Sequence, residues 1–394
     1  MKVNFDLSKK DKVIVAVSGG VDSMCLLDLV VKQSGLPLEH IVAAHLDHGL
    51  RDDTDLDKRL VMEKCKEYGV YCVFDSVSLS AKEGNVEARA RDRRYDFLES
   101  VRETEGADWI LTGHHRDDQA ETVLMKFLKG TFIKGLRGML VKNEESKIYR
   151  PLLSFSKSDL LQYAEENEIE YREDSTNTDI RYDRNFMRHH VMPVINERYE
   201  GFVDRLANNS KYFAELDQYL KSRVFEWINE DFCDDELGRT FEISRYFAEP
   251  TFFRFLILTM MLDMDLSQND LVEIDRIICE SQAGSQRKVG DYHLYIGSDT
   301  VLISELEIDE ISGVVFKRFL QEVDPELVSK KGCSVRIYEE GDRCKFLAME
   351  KPKKLKEFFV KHKIPWYYRA GLPLIVDQEN LVVSVIPYKN ELAN

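Results

Sequence analysis

Apolar runs without polar alternation recur through the first half of the chain, and each precedes a stretch with helical spacing. VIVAV (13–17) is followed by a helical pattern over 22–33, and HIVAAHLDH (40–48) by a charged one over 52–68. YCVFDSV (71–77) is followed by a helix over about 85–105, and ADWILTG (107–113) by one over about 117–129. Strands that do not alternate are buried on both faces, so this order predicts a parallel sheet covered by helices on both sides. Ligands of such sheets sit beyond the carboxyl ends of the strands, where residues 18–23, 45–51 and 113–118 fall. After RPLL (150–153) the pattern turns helical over 156–167, 184–197, 200–230 and 251–280, while 283–304 reads as a turn and short strands. From about 325 it changes again, with a basic helix in KKLKEFFVKHKI (353–364) and the strands LPLIVD and LVVSVI. The expected organisation is an α/β domain over 1–205, a mainly helical one over 206–324, and a small basic α+β one over 325–394.

Composition narrows the class. Hydrophobic residues make up 43% of 394, ample for packed cores, and no apolar run approaches the roughly eighteen residues of a membrane span. The polar start MKVNFDLSKKDK lacks the apolar core of a leader, so a cytoplasmic protein is expected. Seven scattered cysteines without a CxxC pair read as reduced thiols, neither a disulfide frame nor a zinc site. The net charge of −16 argues against a nucleic-acid partner, but nine Lys/Arg stand against four acids between Glu340 and Ala370. That local excess points to a phosphate-rich partner despite the acidic total.

Four stretches carry candidate chemistry. In SGGVDS (18–23) the two glycines permit close backbone approach at a helix start, which suits phosphate. Asp22 would repel a polyphosphate unless a divalent cation lies between them, so it implies Mg²⁺; the plain alternative is a capped strand-to-helix turn. In LTGHHRDDQAETVLMKFLKGT (111–131) a helix from Asp117 places Asp117 and Glu121 on one face. A solvated acidic first turn and a zinc site are the other readings, but hard oxygen ligands suit Mg²⁺ or proton transfer beside a nucleotide better. In NVEARARDRRYDFL (85–98), Arg89 and Arg93 fall at helical spacing with Arg94 next to them, as they also would on a solvated helix. In DSTNTDIRYDRNFMRHHVMP (174–193), Arg181, Arg184 and Arg188 suit either an RNA grip or surface salt bridges.

In order along the chain, these motifs resemble one family. SGGVDS resembles the loop of the N-type ATP pyrophosphatases, the PP-loop enzymes. AAHLDHGLR (43–51), NVEARARDRRY, LTGHHRDDQAETVLMKFLKGT, GLRGM (135–139), RPLL and DSTNTDIRYDRNFMRHHVMP resemble successive signatures of the tRNA(Ile)-lysidine synthetases. EEGDR (339–343) and KKLKEFFVKHKIPWYYRAGLPLIVD (353–377) resemble their C-terminal domain. The resemblance implies a Rossmann-like PP-loop fold with a parallel sheet of the five-stranded type. It also implies a reaction: ATP adenylates C2 of the wobble cytidine in a tRNA(Ile) with a CAU anticodon, and L-lysine then displaces AMP. Because pyrophosphate leaves, the loop should grip the β and γ phosphates, which explains why the usual P-loop lysine is missing.

By position, the resemblance implies that Ser18, Gly19, Gly20, Val21, Asp22 and Ser23 hold the ATP phosphates, with Asp22 on Mg²⁺, and that Ala44 and His45 lie by the adenosine. Arg89, His114, Asp117, Asp118 and Glu121 would surround the cytidine and lysine. Arg184 and Arg188 would contact the anticodon region; Arg181, and Lys353, Lys354 and Lys356 of the basic tail, are expected as further tRNA contacts from their charge alone. Arg116 departs from the family pattern, which often has a small residue there. A homodimer would suit a tRNA that spans distant patches. The alternatives are another PP-loop adenylating tRNA-modifying enzyme or a non-catalytic ATP-binding RNA adaptor. Against them stand the lack of paired CxxC motifs, of cysteines flanking the motifs, and of a nucleophilic Cys at residue 2.

Overall fold

The apolar runs of the first half become the interior of one twisted sheet. The computed structural model describes residues 1–47, 49, 54–77, 86–172, 180, 183–231, 233–262, 266–323, 325–330, 332–346 and 351–387. It divides into two compact units, Met1–Tyr219 and Leu220–Asn394. In the first, strands β1 (Val13–Ala16), β2 (Ile41–Asp47), β3 (Tyr71–Ser76), β4 (Trp109–Leu111), β5 (Lys142–Asn143) and β6 (Ile148–Tyr149) lie in the order β3-β2-β1-β4-β6-β5. Five are parallel and only β5 runs antiparallel, on the β6 edge. This is the α/β class and the five-stranded parallel core that the sequence predicted.

Helices α1 (Val21–Gln33), α2 (Thr54–Tyr68), α3 (Val86–Glu105), α4 (Arg116–Leu128), α5 (Ile133–Leu136) and α6 (Lys157–Glu166) complete the α/β layers. Val13 and Val15 enter one core with Leu26, Leu27 and Val30 of α1 and Leu160 and Tyr163 of α6. Ile14 enters the opposite core with Leu98 and Val101 of α3. Burial on both faces is why β1 shows no alternation. The chain reverses direction of growth between β1 and β4, the crevice where such sheets take ligands.

Two glycines set close approaches there. A Cβ on Gly113, between β4 and α4, would stand 3.0 Å from the Asp22 carbonyl, so the end of β4 lies directly against the start of α1. Gly138 has φ +64°, and a Cβ on it would meet the Gln119 amide at 2.6 Å. Gln119 bonds that GLRGM turn at Arg137 O (3.2 Å) and at Met139 N (2.7 Å), which ties it to α4. Beyond it, α7 (Asp183–Phe186), a π-helical turn (Met187–Val191), α8 (Met192–Arg198) and α9 (Phe202–Asp231) follow. Ala120 of α4 packs with Met187, Met192, Phe202, Val203 and Leu206, fixing this helical run on the back of α4.

In the second unit, β7 (Cys233–Asp235), β8 (Gly238–Glu242), β9 (Gln286–Val289), β10 (Tyr292–Ile296) and β11 (Thr300–Ser304) form a sheet in the order β7-β8-β11-β10-β9. It joins α10 (Ile243–Ala248), α11 (Thr251–Leu262), α12 (Gln268–Glu280), α13 (Ile308–Leu320) and α14 (Pro325–Lys330). A second sheet, β12-β15-β16-β13-β14, takes β12 (Ser334–Arg336), β13 (Arg343–Cys344), β14 (Lys353–Lys354), β15 (Leu374–Val376) and β16 (Val382–Val385), with α15 (Leu355–Lys361) and α16 (Trp366–Arg369). Tyr295 and Leu302 of the first sheet share a core with Phe359, Tyr367 and Val382 of the second part, and Trp366 Nε1 donates to Ile296 O at 2.8 Å. Leu355, Phe358 and Phe359 bury one face of α15, leaving Lys356 and Lys361 exposed beside Lys353 and Lys354.

Gly113→Ala should push β4 off the head of α1. A lower urea midpoint, corresponding to about 1–3 kcal/mol, is expected from that overpacking.

Candidate active site

The loop after β1 is held by its own serines. Ser23 Oγ donates to Gly20 O (2.9 Å) and accepts from Ser18 N (3.0 Å), so Ser18 and Ser23 shape the turn. Only Gly19 takes the left-handed region, at φ +92°; Gly20 is extended at φ −75° and serves as the N-cap. No side chain caps α1 there, and Val21 opens the helix, so its first-turn N–H groups and positive end face the loop. Behind it, Arg172 donates its backbone N–H to Gly19 O (3.0 Å) and its Nε to Asp57 (2.7 Å). Asp57 is 5% exposed and sits under Gly19, where a Cβ would meet its own at 3.3 Å.

Asp22 does not face empty space. Lys157, the first residue of α6, donates its Nζ to both Asp22 oxygens (2.7 and 2.9 Å). Its backbone N–H donates to Asp117 Oδ2 (2.9 Å), so one residue ties the starts of α1 and α4 together. His115 stands among these acids, 3.4 Å from both Asp117 and Asp118 and 3.8 Å from Asp22. Burial opposes its charge, but the three carboxylates outweigh burial and raise it above the ordinary histidine range. Asp117 and Asp118 are held below the usual carboxylate range in spite of burial, Asp117 by His115 and the Lys157 N–H, Asp118 by His115 and Arg184.

The far side of α4 carries a second network. Glu121, 3% exposed, takes Arg188 Nε at 2.7 Å and Arg184 Nε at 3.2 Å, and both guanidinium groups also reach Asp118 Oδ1 (2.9 and 3.0 Å). The π-helical turn that buries Met187 carries Arg188. His114 bonds Thr112 Oγ1 through Nδ1 (2.8 Å) and is pushed down to about 3 by burial, so it is neutral. Arg116, the departure from the family pattern, pairs with Asp204 (2.9 Å) and Asp159 (3.7 Å).

On β2, Ala44 O accepts the Val17 N–H (2.9 Å), and His45 Nδ1 lies 2.8 Å from Val17 O. His45 is 3% exposed, and burial lowers its pKa, so it is neutral with an unpartnered Nε2.

The structure thus gathers Ser18–Ser23, His114, Asp117, Asp118 and Glu121 at the ends of β1 and β4, with Arg184 and Arg188 bound to the acid pair. Arg181 lies outside the described residues. Arg89 is half-buried on α3, but the α3 arginine whose charge acts on His114 is Arg94. Lys157, Arg172 and Asp57 went unread because nothing local marks them; each acts on a partner far away in sequence. Among the described residues no three His, Cys, Asp or Glu side chains form a metal cage. Magnesium takes one or two carboxylates and fills its shell with phosphate and water, so Asp22 fits an ion arriving on a polyphosphate and not a resident one.

The acidic cluster makes stability depend on pH with a definite sign. His115 is raised in the fold, so its contribution is complete below its unfolded value of about 6.5 and fades as pH rises through the folded value. Urea midpoints should therefore fall as pH rises above about 6.5 in the native protein and fall less in His115→Gln. Asp117 and Asp118 act oppositely, stabilising above about pH 4 and losing this as pH falls.

Comparison with known proteins agrees with this architecture. The PP-loop domain model matches residues 1–195, and the TilS substrate C-terminal domain model matches residues 333–386. The tRNA(Ile)-lysidine synthase of Thermotoga maritima is 30% identical over 96% of this chain and 92% of its own length. That of Thermosipho africanus is 31% identical over 96% and 89%, and that of Bacillus licheniformis 30% over 94% and 88%. The chain belongs to the tRNA(Ile)-lysidine synthase family.

Proposed function

We propose that this chain catalyses the family reaction: adenylation of C2 of the wobble cytidine in tRNA(Ile) with a CAU anticodon, then attack by L-lysine to give lysidine, AMP and pyrophosphate. The observation that carries it is the uncapped start of α1 behind Gly19, with Asp22 beside the His114–Glu121 cluster at the crevice of the sheet. Ser18–Ser23 turn backbone N–H groups toward the β and γ phosphates, leaving the α-phosphorus open to in-line attack by the C2 oxygen. Lys157 supplies the ammonium that the loop itself lacks, positioned to neutralise the departing pyrophosphate. Asp22 would hold Mg²⁺, which would supply charge neutralisation on the phosphates. Ala44 and His45 lie along the adenosine.

In the second step the C2–N bond to lysine forms as the C2–O bond to AMP breaks, and the attacking amine must lose a proton. His114, being neutral, lines that path without repelling the amine, while Asp117, Asp118 and Glu121 attract the lysine's positive charge. Arg184 and Arg188, with Arg181, approach the anticodon, and Arg89 stays a candidate contact from α3. Residues 206–324 and the basic 325–394 segment bind more of the tRNA, Lys353, Lys354 and Lys356 through phosphates. A cytoplasmic homodimer completes this reading; no helix among the described residues is long and apolar enough to cross a membrane.

Incubation with tRNA(Ile) transcript, ATP, Mg²⁺ and labelled lysine should place lysine on the wobble cytidine. No incorporation where the protein binds the tRNA would overturn the proposal. Asp22→Asn should lower pyrophosphate release by at least about 100-fold, since charge on the phosphates is the main task. Replacing Lys353, Lys354 and Lys356 by Gln should weaken tRNA binding and reduce the slope of log K against log salt by about 2 to 3.

A further inference from the structure

Not all of the cations around His114 are spent on the acid pair. Arg184 and Arg188 hold Asp118 and Glu121, but Arg91, Arg94 and Arg150 make no ion pair among the described residues. Arg150 is 7% exposed; its Nη1 donates to Leu140 O (2.9 Å), and its buried Nε has no partner. The Tyr95 hydroxyl is buried and unpartnered as well. It lies close enough to Arg94 and Arg150 to favour their charged forms, though no donor is aligned on it. Arg91 and Arg94 stand over the Tyr95 ring, their Cζ atoms 5.1 and 5.5 Å from its centroid. Burial lowers both Arg94 and Arg150, and neither has a carboxylate to offset it. Buried guanidinium groups without a counter-charge are costly, so a fold that keeps them adjacent, with an unpartnered hydroxyl between, is prepared for an anion.

The shape and the neighbours select which anion. ATP phosphates belong at the start of α1. A phosphodiester continues in both directions and calls for an open groove, whereas the Arg150 Nε and the Tyr95 hydroxyl are buried and suit a terminal group. Arg184 acts electrostatically on both Arg94 and His114 while bonded to Asp118, so the cation cluster adjoins the acid pair. Adjacent sites of opposite charge fit an α-amino acid, whose carboxylate and ammonium are one carbon apart. Resting on the proposed function, we infer that Arg94, Arg150 and the Tyr95 hydroxyl seat the α-carboxylate of the lysine substrate, with Arg91 closing over Tyr95. The carboxylate forms charge-assisted bonds to the two guanidinium groups and accepts the Tyr95 O–H. Its side-chain amine is thereby left free to reach C2.

Equilibrium dialysis of the full-length protein against labelled L-lysine and L-lysinamide tests this without relying on turnover. The native protein should bind lysine at least about tenfold tighter than lysinamide, as expected for charge-assisted bonds. That preference should shrink to within about twofold in Arg94→Gln, and fall partway in the conservative Tyr95→Phe, which guards against a folding defect. Equal binding of the two ligands by the native protein overturns the inference while leaving lysine as substrate. So does an Arg94→Gln variant that keeps the preference but loses tRNA affinity with a shallower salt slope, which would mark a phosphodiester seat. Native protein that binds neither ligand and incorporates no lysine overturns the proposed function itself.

Discussion

Lys157 holds the catalytic unit's working end together with two bonds from one residue. It begins α6, where a cation meets the unfavourable positive end of a helix. Two carboxylates offset that: Asp22 in the first turn of α1 takes the ammonium, and Asp117 in the first turn of α4 takes the backbone N–H. Three helix starts are thus drawn to one point beyond β1 and β4. Gly113 removes the side chain that would keep them apart. The result is a place where the uncapped start of α1 stands beside carboxylates that are each committed to a cation.

Around that point charge is sorted into two adjoining groups. On the α1 side, Asp22 and Asp117 are matched by Lys157 and His115 in a compact set. On the α3 side, the guanidinium groups of Arg91, Arg94 and Arg150 outnumber the acids. Asp118, bonded by Arg184 and Arg188 and close to His115, stands between them. A single mixed cluster would neutralise itself. Separation leaves the guanidinium groups of the α3 side without a carboxylate among the described residues, beside a set whose charges are paired.

The parallel sheet was legible because burial on both faces suppresses alternation, and its strands are followed by helices with a clear period. β5 and β6 were not, since two residues show no period at all. The strand-to-helix turn was legible from SGGVDS, yet the sequence could not tell that only Gly19 takes the left-handed region, with Asp57 packed beneath it. Among the α3 arginines, helical spacing marks a shared face but not which face meets the sheet. Arg89 and Arg93 share a face by spacing while Arg94 lies further round, and only packing brings the Arg94 charge to bear on His114. The sheet of β7–β11 showed only in part, as the short strands read over 283–304.

In the proposed reaction Lys157 takes the part of the absent P-loop lysine. In a Walker loop, the cation and the glycines lie within a few residues, so the phosphate grip is built locally. Here the ammonium comes from α6, 135 residues after Asp22. The grip therefore exists only when β1, β4 and α6 are packed together, and the same packing places His114 and the acid pair of α4. On that reading, ATP binding and the arrangement that receives the base depend on one set of tertiary contacts, so the loop would not form a complete phosphate site in a partly folded chain.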